Sequence, residues 1–227
     1  MGFRFPRNDE HMAIVGRNGT GKTQFGVHVL SKKNLRRETV VILDYKGDEL
    51  INGIQNTREI GFGEVPRKPG LYILHSSPDE EAETDAWLSK LNRAEDCGLF
   101  IDEGYMLPPR SKIFKTILTQ GRSKRIPVIT LSQRPVDVQR YAFSESSHFA
   151  FFPLNDRRDI DVIRQFTPED FIDYMPVSMG GEKRLPDYYS RWYSVKSDER
   201  FVLMPAPSAE EIIASIDAQL EPKTRFL

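Results

Sequence analysis

Short apolar runs alternate with longer amphipathic stretches along most of the chain, which is the pattern of a parallel sheet covered by helices. Residues 12–15 read as a buried strand running into a glycine-rich loop, and residues 22–30 as the helix that follows. Residues 39–44 (TVVILD) form a second strand, its β-branched side chains suited to a pleated surface. Gly47 and Gly53 then break the pattern, and residues 47–69 read as irregular. A third short strand is expected at residues 71–74. Ser77, Pro78 and Glu80 supply a cap, a first-turn proline and a capping-box glutamate, so a helix should start there. It should run to about Arg93 and bury Ala82, Ala86, Trp87 and Leu91.

Further along, residues 98–101 are a strand ending in Asp102-Glu103. The helix near residues 111–121 should turn Ile113, Phe114, Ile117 and Leu118 inward. Strands follow at residues 127–132 and 148–153, and residues 156–166 have helical spacing at Ile160, Ile163 and Phe166. Residues 176–186 are rich in Gly and Pro and read as a loop. Residues 188–195 and 200–204 can pair as a terminal hairpin, and Ser208 with Glu211 caps a last helix carrying Ile212, Ile213, Ile216 and Leu220 on one face. The expected division is an ATPase-type core over residues 1–205, with the hairpin at about 187–205, and a helix and tail over residues 206–227.

Composition narrows the class. With 227 residues, 39% hydrophobic and 29% charged, the chain has an ordinary globular mix. No apolar run reaches the 18 or so residues that span a bilayer, and the first residues lack a signal peptide's apolar stretch, so a soluble, cytosolic protein is expected. Cys97 is the single cysteine, which excludes an intrachain disulfide and a cysteine-based zinc site. Net charge is −1, but Arg110, Lys112, Lys115, Arg122, Lys124 and Arg125 fall in an acid-free stretch. That stretch is either a solvated helix face or a nucleic-acid surface.

The chemistry concentrates at residues 16–23, GRNGTGKT, which fit G-x-x-x-x-G-K-[ST] between a strand and a helix. By chance this pattern arises in about one chain of this length in a hundred. Gly16, Arg17, Asn18, Gly19, Thr20 and Gly21 would curl the backbone so that its N–H groups meet the phosphates of ATP. Lys22 would reach the β- and γ-phosphates and the Thr23 hydroxyl would bind Mg2+. Asp102, at a strand end, would hold Mg2+ through a water, and Glu103 would polarise the attacking water. Asp44, in DYKG, matches a GTPase switch sequence, but no guanine-reading N-K-x-D follows and no LSGGQ is present. Asp44 is therefore a second-strand acid near the site or a strand-end turn residue. Gln133 leaves the strand of residues 127–132 at its carboxyl end, where ligands sit in such sheets, or else it satisfies the turn.

The ordered segments GRNGTGKT, VILDYKGDE, LFIDEGYMLPP, GRSKRIPVITLSQRP and FAFFPLNDRRDIDVI resemble the FtsK–HerA superfamily of DNA-pumping ATPases. The G-R-x-x-x-I-x-x-I-x-x-x-Q-R-P segment at residues 121–135 is the most diagnostic, and the resemblance covers about residues 10–166. The compact form is most similar to the genome-packaging ATPases of tectivirus-like internal-membrane phages. The resemblance implies an α/β RecA-like P-loop fold, a mainly parallel sheet with helices on both faces and the glutamine strand between the phosphate-loop and acidic strands. It implies Lys22 and Thr23 as loop ligands, Asp102 as the magnesium acid, Glu103 as the base and Gln133 as the sensor. It also implies a homo-oligomeric ring, a hexamer being one form, in which a neighbour's arginine completes each site, with Arg158, Arg157 and Arg122 as candidates.

The partners implied are double-stranded DNA and capsid-vertex or membrane-associated packaging proteins, and the place is the host cytoplasm and the packaging vertex. Two other readings stay open on the residues. One is a conjugation or filamentous-phage export ATPase of the same superfamily. The other is a nucleotide or small-molecule kinase, in which Glu103 would serve a substrate hydroxyl.

Overall fold

The computed structural model describes residues 3–169 and 185–221. Along the chain come β1 (His11–Val15), α1 (Lys22–Ser31), β2 (Thr39–Asp44), α2 (Glu49–Asn52), β3 (Arg58–Glu59) and β4 (Gly70–His75). They are followed by α3 (Glu81–Ala94), β5 (Cys97–Asp102), α4 (Lys112–Gln120), β6 (Val128–Ser132) and α5 (Tyr141–Ser144). Last come β7 (Ser146–Phe151), α6 (Arg157–Arg164), β8 (Ser190–Ser194), β9 (Glu199–Leu203) and α7 (Ala209–Leu220). These strands make one sheet in the order β3-β4-β2-β5-β6-β1-β7-β8-β9. Every pairing from β3 to β7 is parallel, and β8 and β9 are added antiparallel at the β7 edge. β6 lies between β5 and β1, so the strand before Gln133 separates the acidic strand from the phosphate-loop strand, as expected.

Parallel strands are covered on both faces and so need apolar side chains on both. β1 shows how: Met12 and Ile14 join Phe25 and Val27 of α1, Ile51 of α2 and Ile212 and Ile216 of α7 on one face. Ala13 and Val15 point the other way, to Trp87 and Leu91 of α3, Phe114 of α4, Phe143 of α5 and Ile160 of α6. The alternation is the period of two that a strand imposes. At about 1.5–3 kcal/mol for each fully buried large apolar side chain, these two layers are the main stabilising term.

Three expectations need correcting or refining. Residues 47–69 are less irregular than they read, since α2 and the edge strand β3 lie within them. α3 does not bury Ala82 and Ala86, which are exposed; Thr84, Trp87, Leu88, Leu91 and Ala94 form its inner face. The cause is local. The capping box starts a 3-10 turn at Pro78–Glu80, and Thr84 takes a core position because its hydroxyl meets that of Ser76 at 3.0 Å. On α4, Phe114, Ile117 and Leu118 are buried, whereas Ile113 is only half-buried. The loop expected at residues 176–186 lies, up to residue 184, outside the described residues, as do residues 222–227 of the tail.

The terminal hairpin forms as expected and extends the sheet. α7 begins with the Ser208–Glu211 capping box and docks on α1. Gln24 Nε2 donates to the Pro207 carbonyl at 2.6 Å, and Gln219 bonds both the Leu35 N–H and the Ser31 carbonyl. This docking keeps the C-terminal segment beside the helix that carries the phosphate loop.

Candidate nucleotide site

The carboxyl ends of β1, β5 and β6 meet at one place, and the loops leaving them build the site. After β1 the chain is pinned to both neighbouring strands. Gly16 N–H donates to the Ser132 carbonyl at 3.2 Å, and Arg17 N–H donates to the Pro153 carbonyl at 3.0 Å. A β-carbon on Gly16 would lie 2.4 Å from Phe152 Cβ, so the approach of these backbones requires glycine. Gly21 has φ 88°, the left-handed region, and from it α1 starts with Lys22. Thr20 Oγ1 closes the loop by donating to the Arg17 carbonyl at 2.8 Å. The outcome is a helix N-terminus facing a loop of N–H groups, the arrangement that receives phosphate.

Five expected residues converge here. Lys22 Nζ is 3.0 Å from Glu103 Oε1, both side chains being buried. Thr23 Oγ1 is 3.4 Å from Asp102 Oδ1. Gln133 follows β6 and lies against the acids: its N–H donates to Glu103 Oε2 at 3.4 Å, and its amide Nε2 donates to the Tyr105 hydroxyl at 2.9 Å. Glu103 itself has φ 63°, a conformation that costs a non-glycine residue about 1–3 kcal/mol and is found where a site needs it.

Burial pushes the Asp102 carboxyl up to about 6, and the neighbouring charge of Glu103 adds to this, while Lys22 pulls the other way. Its Oδ2 is buried without a hydrogen-bond partner. An orphaned carboxylate oxygen beside a threonine hydroxyl is a donor set that fits Mg2+ carried in on phosphate oxygens, since that ion keeps most of its ligands as water and phosphate.

Asp44 is a strand-end turn residue with a consequence. Its Oδ1 accepts the N–H groups of Lys46 and Gly47 at 3.0 and 2.9 Å, and this turn aims the Lys46 ammonium at Glu103 Oε1. Burial opposes the Lys46 charge, but the hydrogen bond and charge of Glu103 outweigh it and hold the ammonium above the usual lysine value. Lys46 and Tyr105 are absent from the sequence reading. Finding Lys46 requires the strand order: β2 pairs with β5 so that Asp44 stands level with Asp102, and Lys46 follows two residues on.

Comparison with known proteins gives the family. The chain is 38% identical over 218 residues to the DNA packaging ATPase P9 of Enterobacteria phage PRD1, covering 96% of each. This chain belongs to the family of that phage packaging ATPase. The family profile of the type IV secretion-system coupling protein DNA-binding domain matches residues 2–58. Among solved structures, the genome packaging NTPase B204 of Sulfolobus turreted icosahedral virus 2, in complex with ATP-gammaS, aligns with a TM-score of 0.66 and 16% identity over 88% of this chain and 99% of that one. The bacterial conjugative coupling protein TrwB aligns with a TM-score of 0.63 and 13% identity over 88% of this chain and 86% of that one. The RecA-like packaging-ATPase fold of the FtsK–HerA superfamily, expected from the motifs, is the fold of this family member.

The arginine candidates stand apart from this cluster. Arg158, in the first turn of α6, is exposed and paired with Asp156 at 3.2 Å; Asp156 also caps the helix through the Arg158 N–H. Arg157 is exposed and makes no ion pair or hydrogen bond among the described residues. Arg122 lies 3.9 Å from Asp9, ahead of β6 and β1 and so at the opposite end of the sheet from the phosphate loop. The basic stretch is also less basic in place than in sequence. Arg122, Lys124 and Arg125 face Asp9, Glu95 and Asp96, while Arg110, Lys112 and Lys115 are exposed. Among the described residues, no helix is long and apolar enough to cross a membrane.

Proposed function

We propose that this chain is the ATP-hydrolysing motor that drives double-stranded DNA into a preformed viral capsid. The observation that carries the proposal is the convergence of Lys22, Thr23, Asp102, Glu103 and Gln133 at one end of the sheet, in a chain of the packaging-ATPase family. The phosphate loop and Lys22 bind the triphosphate of ATP. Thr23 and Asp102 would hold Mg2+, which supplies positive charge to the β- and γ-phosphates. Glu103 orients the attacking water and takes its proton, and Gln133 holds that water from the neighbouring strand. Subunits assemble into a ring around DNA, and an arginine from the neighbour, Arg158, Arg157 or Arg122, stabilises charge accumulating on the transferred phosphoryl group. The ring works at the packaging vertex, against capsid or membrane-associated proteins.

The test is the ATPase rate with and without double-stranded DNA, beside a mass measurement with ATP. A ring whose hydrolysis rises with DNA supports the motor. A monomer whose rate ignores DNA and which phosphorylates a small acceptor overturns it in favour of a kinase.

A further inference from the structure

The terminal hairpin opens toward the phosphate loop. Phe151, level with Val15 at the end of β1, pairs with Arg191, and Ser190 pairs with Leu203. The chain therefore enters β8 and leaves β9 beside residues 16–23, and it brings Tyr188 and the start of α7 with it. The Tyr188 ring lies on the last glycine of the loop. A β-carbon built on Gly21 would be 3.2 Å from Tyr188 Cδ1. Tyr188, Thr23, Gln24, Asp48, Ala209 and Ile213, with the loop itself, line an open cavity of about 690 Å³. That is within the usual range for small-molecule sites.

Tyr188 is unusual in two independent ways. It is 57% exposed, although a ring of this size is normally covered. Its φ is 65°, a strained value for a bulky residue, and such outliers gather at ligand sites. The cavity adjoins Thr23 and Gln24, the first turn of α1, so it lies where a nucleotide with its phosphates on the loop would extend. Its lining combines the exposed Tyr188 with the apolar Ala209 and Ile213.

We propose that Tyr188 is the platform on which the base of the bound nucleotide stacks; this rests on the reading of residues 16–23 as a nucleotide site. Stacking recognises a π-face rather than a hydrogen-bonding edge, so the site accepts either purine and holds purines more tightly than the smaller pyrimidines.

The test compares wild type, Tyr188→Phe, Tyr188→Gly and Lys22→Ala in binding ATP, GTP, CTP and inorganic tripolyphosphate with magnesium. Glycine adopts φ 65° without strain, so Tyr188→Gly removes the ring and should unfold no earlier than wild type. The inference expects Tyr188→Gly to bind ATP about 5- to 30-fold more weakly, with tripolyphosphate unchanged and the preference for purines gone. Tyr188→Phe should bind as wild type. If Tyr188→Gly keeps full ATP affinity, or loses ATP and tripolyphosphate alike, the ring merely shapes the loop and the inference is overturned. If Lys22→Ala binds ATP as wild type does, the nucleotide-site reading itself falls and takes this inference with it.

Discussion

Glu103 has no exposed surface, and three groups face its carboxylate: the Lys22 ammonium, the Lys46 ammonium and the Gln133 N–H. A buried carboxylate stripped of its partners is costly, so their number matters once substrate arrives. Phosphate on the loop competes for Lys22. Lys46 is then the cation that still holds Glu103, and it does so from the turn after β2, a strand that contributes nothing to the phosphate loop. Lys46→Met keeps the aliphatic stem and removes the charge. Misplacing a catalytic base by about 1 Å can cost roughly 10²-fold, so kcat should fall about 10- to 100-fold. KM for ATP should stay near the wild-type value, because Lys46 contacts Glu103 and not the loop. Lys46→Arg should recover part of the rate. Steady-state ATPase kinetics decide the matter: a rise in KM with kcat intact would place Lys46 on the nucleotide instead.

Single strands are joined by polar ties as well as by core packing, and the N-terminal arm is the clearest case. Just before β1, Glu10 accepts both arms of the Arg4 guanidinium at 2.6 and 2.8 Å, the Arg7 N–H at 2.9 Å, and meets His148 Nε2 of β7 at 3.1 Å. Burial alone would raise the Glu10 carboxyl, but these partners outweigh it and hold it well below the ordinary 4.5. A carboxyl lowered in the fold contributes stability above its ordinary value and loses it as pH falls through the lowered one. Urea unfolding should therefore show stability declining below about pH 4.5. Glu10→Gln should lose about 1.5–3 kcal/mol at pH 7, because the Arg4 guanidinium loses its charged, doubly hydrogen-bonded partner, and should flatten that acid decline. An unchanged acid slope in the variant would remove Glu10 from the explanation. At this scale most of the architecture was legible. β-branched runs marked the strands, and the Ser77–Glu80 and Ser208–Glu211 boxes marked two helix starts. The inner face of α3 was legible at Trp87 and Leu91 but not at Thr84, since hydrophobicity ranks Ala above Thr, while the Thr84 hydroxyl is satisfied inside by Ser76. In the site, the loop, the acids and Gln133 were readable because each sits at a strand end. Lys46, Tyr105 and Tyr188 were not, since each depends on which strands neighbour one another or on a hairpin whose direction no local pattern records.

At the scale of the whole molecule, one chain holds the phosphate loop, the acids and the glutamine, yet none of its candidate finger arginines faces them. Lys22 and Lys46 are the cations at Glu103, and the arginines of α6 stand exposed beyond the end of β7. This is the layout expected if the last positive charge comes from a second copy. Such fingers contribute about 10³–10⁵-fold in related phosphoryl-transfer systems. Arg158 is held by Asp156 in an exposed pair, a weak tie that would leave it available to a phosphate on an adjoining subunit if the ring forms. Arg157 is the neighbouring alternative, and Arg122 would have to act from the far end of the sheet. The test mixes Arg158→Ala subunits with Glu103→Gln subunits, each expected to be inactive alone. Some interfaces of a mixed ring then join an intact Glu103 to an intact Arg158, so DNA-stimulated ATPase activity should reappear in the mixture wherever one competent interface can turn over. Silence in the mixture, with both variants assembling as wild type does, would mean that Arg158 acts within its own subunit or that all interfaces must fire together. Repeating the mixture with wild-type subunits separates these, because an all-or-none ring loses activity steeply as either variant is added. A near-normal rate for Arg158→Ala alone would remove Arg158 from the site and pass the role to Arg157 or Arg122, for which the same mixture is the deciding measurement.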